Sequence, residues 1–305
     1  MQLRRFAPVP PTVSILTYHH IADQDPGYPY DPDVADATPI QFRRQLETLA
    51  RYSTPIGIDE LIRALHGAPL PKNPLMITFD DGYRSCHDTA LPILRAVGVR
   101  ATFFIATSFI TERRLYWWER IALVIGQAKR RRAQLTYPYE ISLDLARFLD
   151  ELARALRVDW TLETERNYAD GLVMTWDQIR ALARAGMDVE SHTRRHRVLQ
   201  TLAPEQLHDE LAGSRTELEA QLGRPVRALA YPVGRRITEP HIRDAIAAAG
   251  YEIGLTNASG VNRLRPLPID PIDIRRLSTD RTMSDAMYLT QVALPRLAYI
   301  SRSNR

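Results

Sequence analysis

Short apolar or β-branched runs occur at Val13–Tyr18, Leu75–Phe79, Ala101–Ala106, Met187–Glu190, Ala228–Tyr231, Glu252–Thr256 and Ile272–Ile274. Between them apolar residues recur every three or four positions, as in Phe42, Leu46 and Leu49 or Leu207, Leu211, Leu218 and Leu222. A strand covered on both faces reads as a brief continuous apolar run and an amphipathic helix as a period near 3.6, so the pattern predicts about seven strands and at least six helices. Local signals place helix ends. Thr38-Pro39 is a cap followed by proline at the first helical position, Thr175 to Gln178 has capping-box form before a helix that stops at Gly186, and Gly223 stops the segment from Pro204 to Leu222. With no repeat of 20 to 50 residues, this alternation predicts an α/β fold on a parallel sheet, closed as a barrel or open and doubly wound.

The rhythm breaks once. From Glu112 to Asp170 the pattern is helical (Trp117, Ile121, Val124; then Leu145, Phe148, Leu149, Leu152) without a strand of matching strength. We read residues 1–305 as one barrel domain with a helical insertion at about 112–170, although the length also admits two domains. The run Lys129-Arg130-Arg131-Arg132 in that insertion could meet a phosphate or an acidic glycan, with a solvated helix end as the commoner reading of such a run.

Composition narrows the class. Hydrophobic residues make up 45% and charged residues 25% of the chain, which excludes disordered and fibrous proteins. A net charge of +4 is too weak a field to call for nucleic acid. No stretch approaches the ~20 apolar residues of a membrane span, and the opening residues carry prolines where a secretory leader would be apolar. The expected location is therefore cytoplasmic, with peripheral attachment to a membrane left open. The single cysteine, Cys86, excludes an internal disulfide and any cysteine zinc cluster, so a metal site would have to use His, Asp or Glu.

Two segments offer that chemistry. Thr78-Phe79-Asp80-Asp81-Gly82 puts adjacent carboxylates where an apolar strand runs into a glycine turn, the edge at which a parallel barrel builds its site. His192-Thr193-Arg194-Arg195-His196 follows another strand. If the chain turns helically there, both imidazoles share a face and can reach one ion. Two His and one Asp leave a coordination position open, as catalytic sites do.

These residues resemble the polysaccharide deacetylases of the NodB-homology type, carbohydrate esterase family 4, whose first signature matches Thr78 to Gly82 and whose second matches His192 to His196. The resemblance implies a distorted (β/α)7 TIM-like barrel with Asp80 as general base. It also implies Asp81, His192 and His196 as ligands of a divalent metal, Zn2+ first and Co2+, Ni2+ or Fe2+ as alternatives. Ala228-Leu229-Ala230-Tyr231-Pro232-Val233-Gly234 is similar to the third signature in its Ala-Tyr-Pro-x-Gly form. By that likeness Tyr231, Pro232 and Val233 wall the groove, and the Val233 N–H holds the oxyanion. Ala230 stands where the family has an arginine paired with the base, which leaves Arg227, Arg235 or Arg275 to replace it. No histidine follows His241, so the family's C-terminal acid is missing. Leu16-Thr17-Tyr18-His19-His20 resembles instead the opening of the circularly permuted poly-N-acetylglucosamine deacetylases, which implies His19 as the acid. The fourth signature, an acidic pair with Trp, is absent.

The implied function is metal-dependent hydrolysis of the N-acetyl amide of an amino sugar in a polysaccharide or glycan precursor. The alternatives are a deformylase or deacylase of a lipid- or nucleotide-linked sugar and an inactive glycan-binding module. The implied partner is a glycan or sugar conjugate; sugar, acyl group and oligomeric state stay open. Tyr28, Tyr30, Tyr116, Trp117 and Trp118 offer faces for a sugar, with packing in a helix core as their commoner fate.

Overall fold

The structure, a computed structural model, describes residues 12–130, 145–264 and 269–293. Seven strands carry the fold: β1 (Thr12–Tyr18), β2 (Pro74–Phe79), β3 (Thr102–Ile105), β4 (Asp188–Ser191), β5 (Ala228–Ala230), β6 (Ile253–Ser259) and β7 (Ile274–Ser278). All pair in parallel in the order β1-β7-β6-β5-β4-β3-β2, and β2 pairs back onto β1 through Ser14↔Leu75 to Tyr18↔Phe79. That last ladder closes the barrel and excludes the open, doubly wound alternative.

Strand alternation sorts the core into two layers. Val13, Ile15, Met76, Phe104, Ala228, Ala230, Ile253, Leu255 and Ile274 fill the barrel together with Ile58, Leu61 and Ile62 of the helix Ile58–Leu65. The Ile58 N–H donates to Asp188, the first residue of β4, so this helix lies under the N-terminal ends of the strands. Leu16, Tyr18, Ile77, Phe79, Phe103 and Ile105 face outward and pack under the surrounding helices. The bottom of the barrel is thus plugged with apolar side chains, and the site has to lie at the opposite end.

Both capping boxes form, Thr38 with Gln41 and Thr175 with Gln178. The segment from Pro204 to Leu222 is helical throughout but carries a wide turn at Asp209–Gly213. Between β3 and β4 lie the helices Thr107–Glu112, Trp117–Arg130, Leu145–Ala155, Leu162–Leu172 and Trp176–Arg184. Val124, Ala128, Leu152, Ala153, Leu156 and Val158 form a small core of their own there. Arg131 and Arg132 of the basic run lie outside the described residues. Among the described residues no helix is long and apolar enough to cross a membrane.

One strand differs from expectation. The apolar run Ile272–Ile274 is the approach to β7, and the strand itself continues through Arg275 and Arg276. Charged residues hide a strand from an apolar count, and here one of them, Arg276, is fully buried.

The β4–β5 seam is thin, with Ser191↔Leu229 as its register pair. Glu190 reinforces it from the side: its carboxylate accepts the N–H groups of Arg227 (2.7 Å) and Ala228 (2.8 Å) and meets the Arg224 guanidinium at 3.3 Å. Burial pushes this carboxyl up to about 7 against those donors. Replacing Glu190 by Ala strands buried N–H groups, and the expected loss is about 3 kcal/mol of unfolding free energy, with a smaller loss for Glu190→Gln. Urea unfolding checks this; an unchanged midpoint for Glu190→Ala would remove the carboxylate from the seam's support.

Candidate active site

Asp80 and Asp81 leave the end of β2. The Asp80 N–H still donates to the Tyr18 carbonyl (2.9 Å), so it is the last residue held in the β1–β2 ladder. Asp81 then adopts a left-handed conformation (φ +73°), which breaks strand alternation and swings the second carboxylate to the same side as the first. The Tyr116 hydroxyl clamps this turn by donating to the Asp81 carbonyl (2.6 Å).

The histidine loop does not turn helically as the spacing suggested. The His192 N–H still donates to the Ile105 carbonyl (2.9 Å) at the end of β3, and positive φ at Thr193 (+64°) and His196 (+53°) folds the loop back until the two rings are 4.8 Å apart. Ser191 Oγ accepts the Thr193 N–H, and the buried Glu210 carboxylate accepts the N–H groups of Arg194 (3.0 Å) and Arg195 (2.7 Å). The Arg194 and Arg195 guanidinium groups pair with Asp209. His192 Nδ1 bonds to the Ala230 carbonyl (2.9 Å), which fixes the ring so that Nε2 faces Asp81.

Nε2 of His192 and Nε2 of His196 each lie 3.4 Å from Asp81 Oδ1. Two donors about 2.1 Å from one tetrahedral ion stand about 3.4 Å apart, so this spacing is that of a ligand set. The three ligand atoms fall within 4.8 Å of one another, and Asp81 Oδ1 is buried without a hydrogen-bond donor. Burial, outweighing the pull of Asp81, lowers His196 to about 4 and keeps it neutral, the form a metal requires. These residues fit a divalent cation; two imidazoles and one carboxylate suit Zn2+ and its first-row neighbours better than Mg2+.

Asp80 has a different partner. Arg276 from β7 donates to both of its oxygens, at 2.8 Å each, and both side chains are closed off from solvent. Burial opposes the charge on Asp80, but the Arg276 guanidinium outweighs it and holds the carboxyl well below the usual range. Arg276 is itself fixed by the Thr256 carbonyl and Thr78 Oγ1, at 3.3 Å each. It therefore takes the position expected of Arg227, Arg235 or Arg275. Arg227 is engaged at the surface with Glu252 and Asp59, Arg235 is exposed, and strand alternation turns Arg275 to the other face.

His19 follows β1 and keeps 30% of its side chain exposed. Its N–H (2.5 Å) and its Nδ1 (3.1 Å) both meet Asp36 Oδ2. Burial disfavours the imidazolium, yet Asp36, with help from Asp81 and Asp80, raises the ring to about 9. Asp36 escaped the sequence reading because it sits in the three-residue strand Ala35–Ala37, which pairs with His20–Ile21. His20 turns away to Ser85 Oγ (2.7 Å) and is buried neutral, at about 4.

The remaining candidates divide. The Tyr231 side chain is buried and its hydroxyl donates to the Ile272 carbonyl (2.9 Å), so it supports the turn and offers the groove no side chain. Pro232 is buried as well. Val233 is 64% exposed at φ +61°, a strained setting for a β-branched residue. Tyr116 and Trp118 pack edge-on to His196, with ring centres at 5.6 and 5.3 Å, while Trp117 remains 46% exposed.

Residues 67–254 match the family Polysaccharide deacetylase. The chain belongs to this family. The match takes in both aspartates and both histidines but neither β1 nor β7, so the family pattern omits the strands that bring His19 and Arg276. Among curated proteins, YxkH of Bacillus subtilis is 24% identical over 186 residues, 61% of this chain and 45% of YxkH; the chain thus spans less than half of that relative. Among solved structures, deacetylase PplD of Streptococcus pyogenes, in complex with acetate, aligns at a TM-score of 0.66 and 21% identity over 94% of this chain and 100% of that one. IcaB of Ammonifex degensii aligns at 0.59 and 18% over 94% and 96%. Both share the barrel fold.

Arg276→Met would leave the Asp80 carboxylate buried and unpaired. The expected cost at pH 7 is about 3–5 kcal/mol, shrinking as the pH falls and Asp80 takes up a proton. Thermal unfolding across pH 4 to 8 checks it; equal melting of variant and wild type at pH 7 contradicts the assignment.

Proposed function

We propose that the protein hydrolyses the N-acetyl amide of an amino sugar in a glycan or glycan precursor. On this reading Asp81, His192 and His196 hold a divalent metal, with Zn2+ the first choice. The observation that carries the proposal is the convergence of an unpartnered Asp81 oxygen and two imidazoles beside an arginine-paired Asp80, in a chain of the deacetylase family. We read residues 1–305 as one domain, with the helices between β3 and β4 as its insertion.

When bound, the ion polarises the acyl carbonyl and lowers the pKa of water at its open position. The chain's own groups account for the rest. Asp80 Oδ2, 4.0 Å from His192 Nε2, stands beside the ligand set and takes the proton of the attacking water. Its low basicity makes it a brief host for that proton, and Arg276 keeps it ionised between turnovers. His19, tied at Nδ1 to Asp36 and charged at neutral pH, gives the Nε2 proton to the departing amine, which leaves poorly as an anion. The exposed Val233 at the mouth offers its backbone N–H to the oxyanion, with Tyr231 bracing the turn from below.

Acyl release from N-acetylglucosamine oligomers tests the reading directly. Asp80→Asn is expected to lower kcat about 10³-fold while bound metal, measured by elemental analysis, stays at one ion. Removing the ion with a chelator should abolish activity, and returning Zn2+ should restore it. Persistence of acyl release in the metal-free protein would end the metal-dependent account.

The acid has its own test. A raised His19 is protonated at neutral pH and loses its proton as the pH climbs through about 9, so kcat should fall on that side. Asp36→Asn withdraws the carboxylate that favours the imidazolium, so the alkaline limb should move down toward the ordinary value of about 6.5. A limb that stays in place after this substitution would assign the proton to another group.

A further inference from the structure

Glu119 lies in the first turn of the helix Trp117–Arg130 and is buried between two segments that the catalytic centre uses. Its Oε2 accepts the N–H of Asp31 (2.8 Å), in the loop after β1, and its Oε1 accepts the hydroxyl of Tyr83 (2.8 Å), just past the Asp80–Asp81 turn. No cation among the described residues pairs with it, and burial pushes the carboxyl up to about 7 against those two donors. A buried carboxylate held only by uncharged donors stabilises a fold less than an apolar side chain of its size would. We propose that Glu119 is a positioning residue: it ties the loop that carries Asp36 to the aromatic face behind His196, and so fixes the acid His19 relative to the metal ligands. The inference rests on the proposed roles of His19 and the ligand set, and on independent contacts for Glu119 itself.

Each oxygen leads to one half of the centre. On the acid side, Asp31 Oδ1 accepts the Asp33 N–H (3.0 Å) and starts the single turn Pro32–Val34, which runs directly into the strand Ala35–Ala37. That strand pairs with His20–Ile21 and brings Asp36 to the N–H and Nδ1 of His19. On the metal side, the Tyr83 hydroxyl also accepts from Trp118 Nε1 (2.9 Å). Trp118 stacks on Tyr116 with ring centres 4.6 Å apart, and its ring centre lies 5.3 Å from that of His196. Tyr116 in turn holds the Asp81 carbonyl. Hydrogen bonds, ring contacts and a short stretch of backbone therefore run unbroken from His19 through Glu119 to His196 and Asp81.

Amide hydrolysis makes this placement matter. The acyl carbon is attacked where the ligand set lies, while the departing nitrogen must collect its proton from His19. A misplacement of about 1 Å costs a reaction of this kind about 10²-fold. Both neighbours of Glu119 are donors, and a carboxylate offers acceptors alone. An amide in its place would turn its NH2 toward one of them, so glutamine fills the volume and loosens the joint. An activated ester tells positioning from support. 4-Nitrophenolate departs as an anion without a proton, so its acetate needs the attacking water and not His19.

The experiment follows acyl release from an N-acetylglucosamine oligomer and from 4-nitrophenyl acetate by the zinc-loaded protein. Glu119→Gln is expected to lower kcat on the amide about tenfold, with KM, ester hydrolysis and bound metal each within about twofold of wild type. Asp31→Pro removes the N–H that meets Glu119, at a residue whose φ of −66° suits proline, and should lower the same step about tenfold. Asp31→Ala, which loses the side chain and keeps the N–H, is its control and should lose less. Asp31 is only partly buried, so Asp31→Pro decides the matter even if Glu119→Gln fails to fold. Equal losses on amide and ester, an unaltered amide rate in both Glu119→Gln and Asp31→Pro, or equal losses in Asp31→Ala and Asp31→Pro would overturn the proposal. Proton NMR titration of the His19 ring separates it from the deacylase reading. Should wild type release acyl from neither substrate, that reading falls. A His19 titration that then moves down in Asp31→Pro keeps the positioning role, because Asp36 has slipped from the ring, and one that stays in place removes it.

Discussion

A carboxylate stays ionised inside a closed barrel only if the barrel also holds a cation, and for Asp80 that cation is Arg276. The pair joins β2 to β7 across the barrel interior through two 2.8 Å bonds. An isolated buried charge would take up a proton or pull water into the core. With Arg276 in place, Asp80 can sit beside a site that gathers positive charge without being neutralised or drawn into the ligand set. The division between Asp80 and its neighbour Asp81 follows: one carboxylate is satisfied by arginine, and the other keeps a bare oxygen toward two imidazoles.

The second constraint is conformational. Of the seven non-glycine residues with positive φ among the described residues, four stand at the catalytic end: Asp81, Thr193, His196 and Val233. Left-handed backbone costs an L-residue energy and persists where its surroundings hold it. Each of the first two segments has such a holder. The Tyr116 hydroxyl holds the Asp81 turn, and Glu210 with Ser191 holds the histidine loop. Strain is thus concentrated where side chains from neighbouring positions must converge, while the barrel strands pair in parallel with a register shift at Arg275 and Arg276 of β7.

Closure of the barrel explains how segments from the two ends of the described chain complete one centre. The family match ends before β7 and begins after β1, yet these strands are adjacent and both flank the site. A ring of strands has no privileged beginning. His19 and Arg276 can therefore occupy their places from either side of the chain's ends without altering the geometry that Asp80 and Asp81 meet.

The sequence by itself determined an α/β fold on a parallel sheet, six of the seven strands, both capped helices, and the pair of signatures around Asp80 and His192, while the β1–β2 ladder decided that the sheet closes into a barrel. Those features are local: apolar runs, caps and short motifs bring their own physical signal. It did not reveal the strand through Arg276, because a charged residue buried by an ion pair looks, in one dimension, like an exposed one. Nor did it reveal Asp36, whose short strand lacks any periodicity, or the non-helical path from His192 to His196, which depends on the buried Glu210 of the helical segment that follows it. Tertiary structure alone decided which arginine meets Asp80 and which carboxylate raises His19, since each is a relation that only the folded chain brings about.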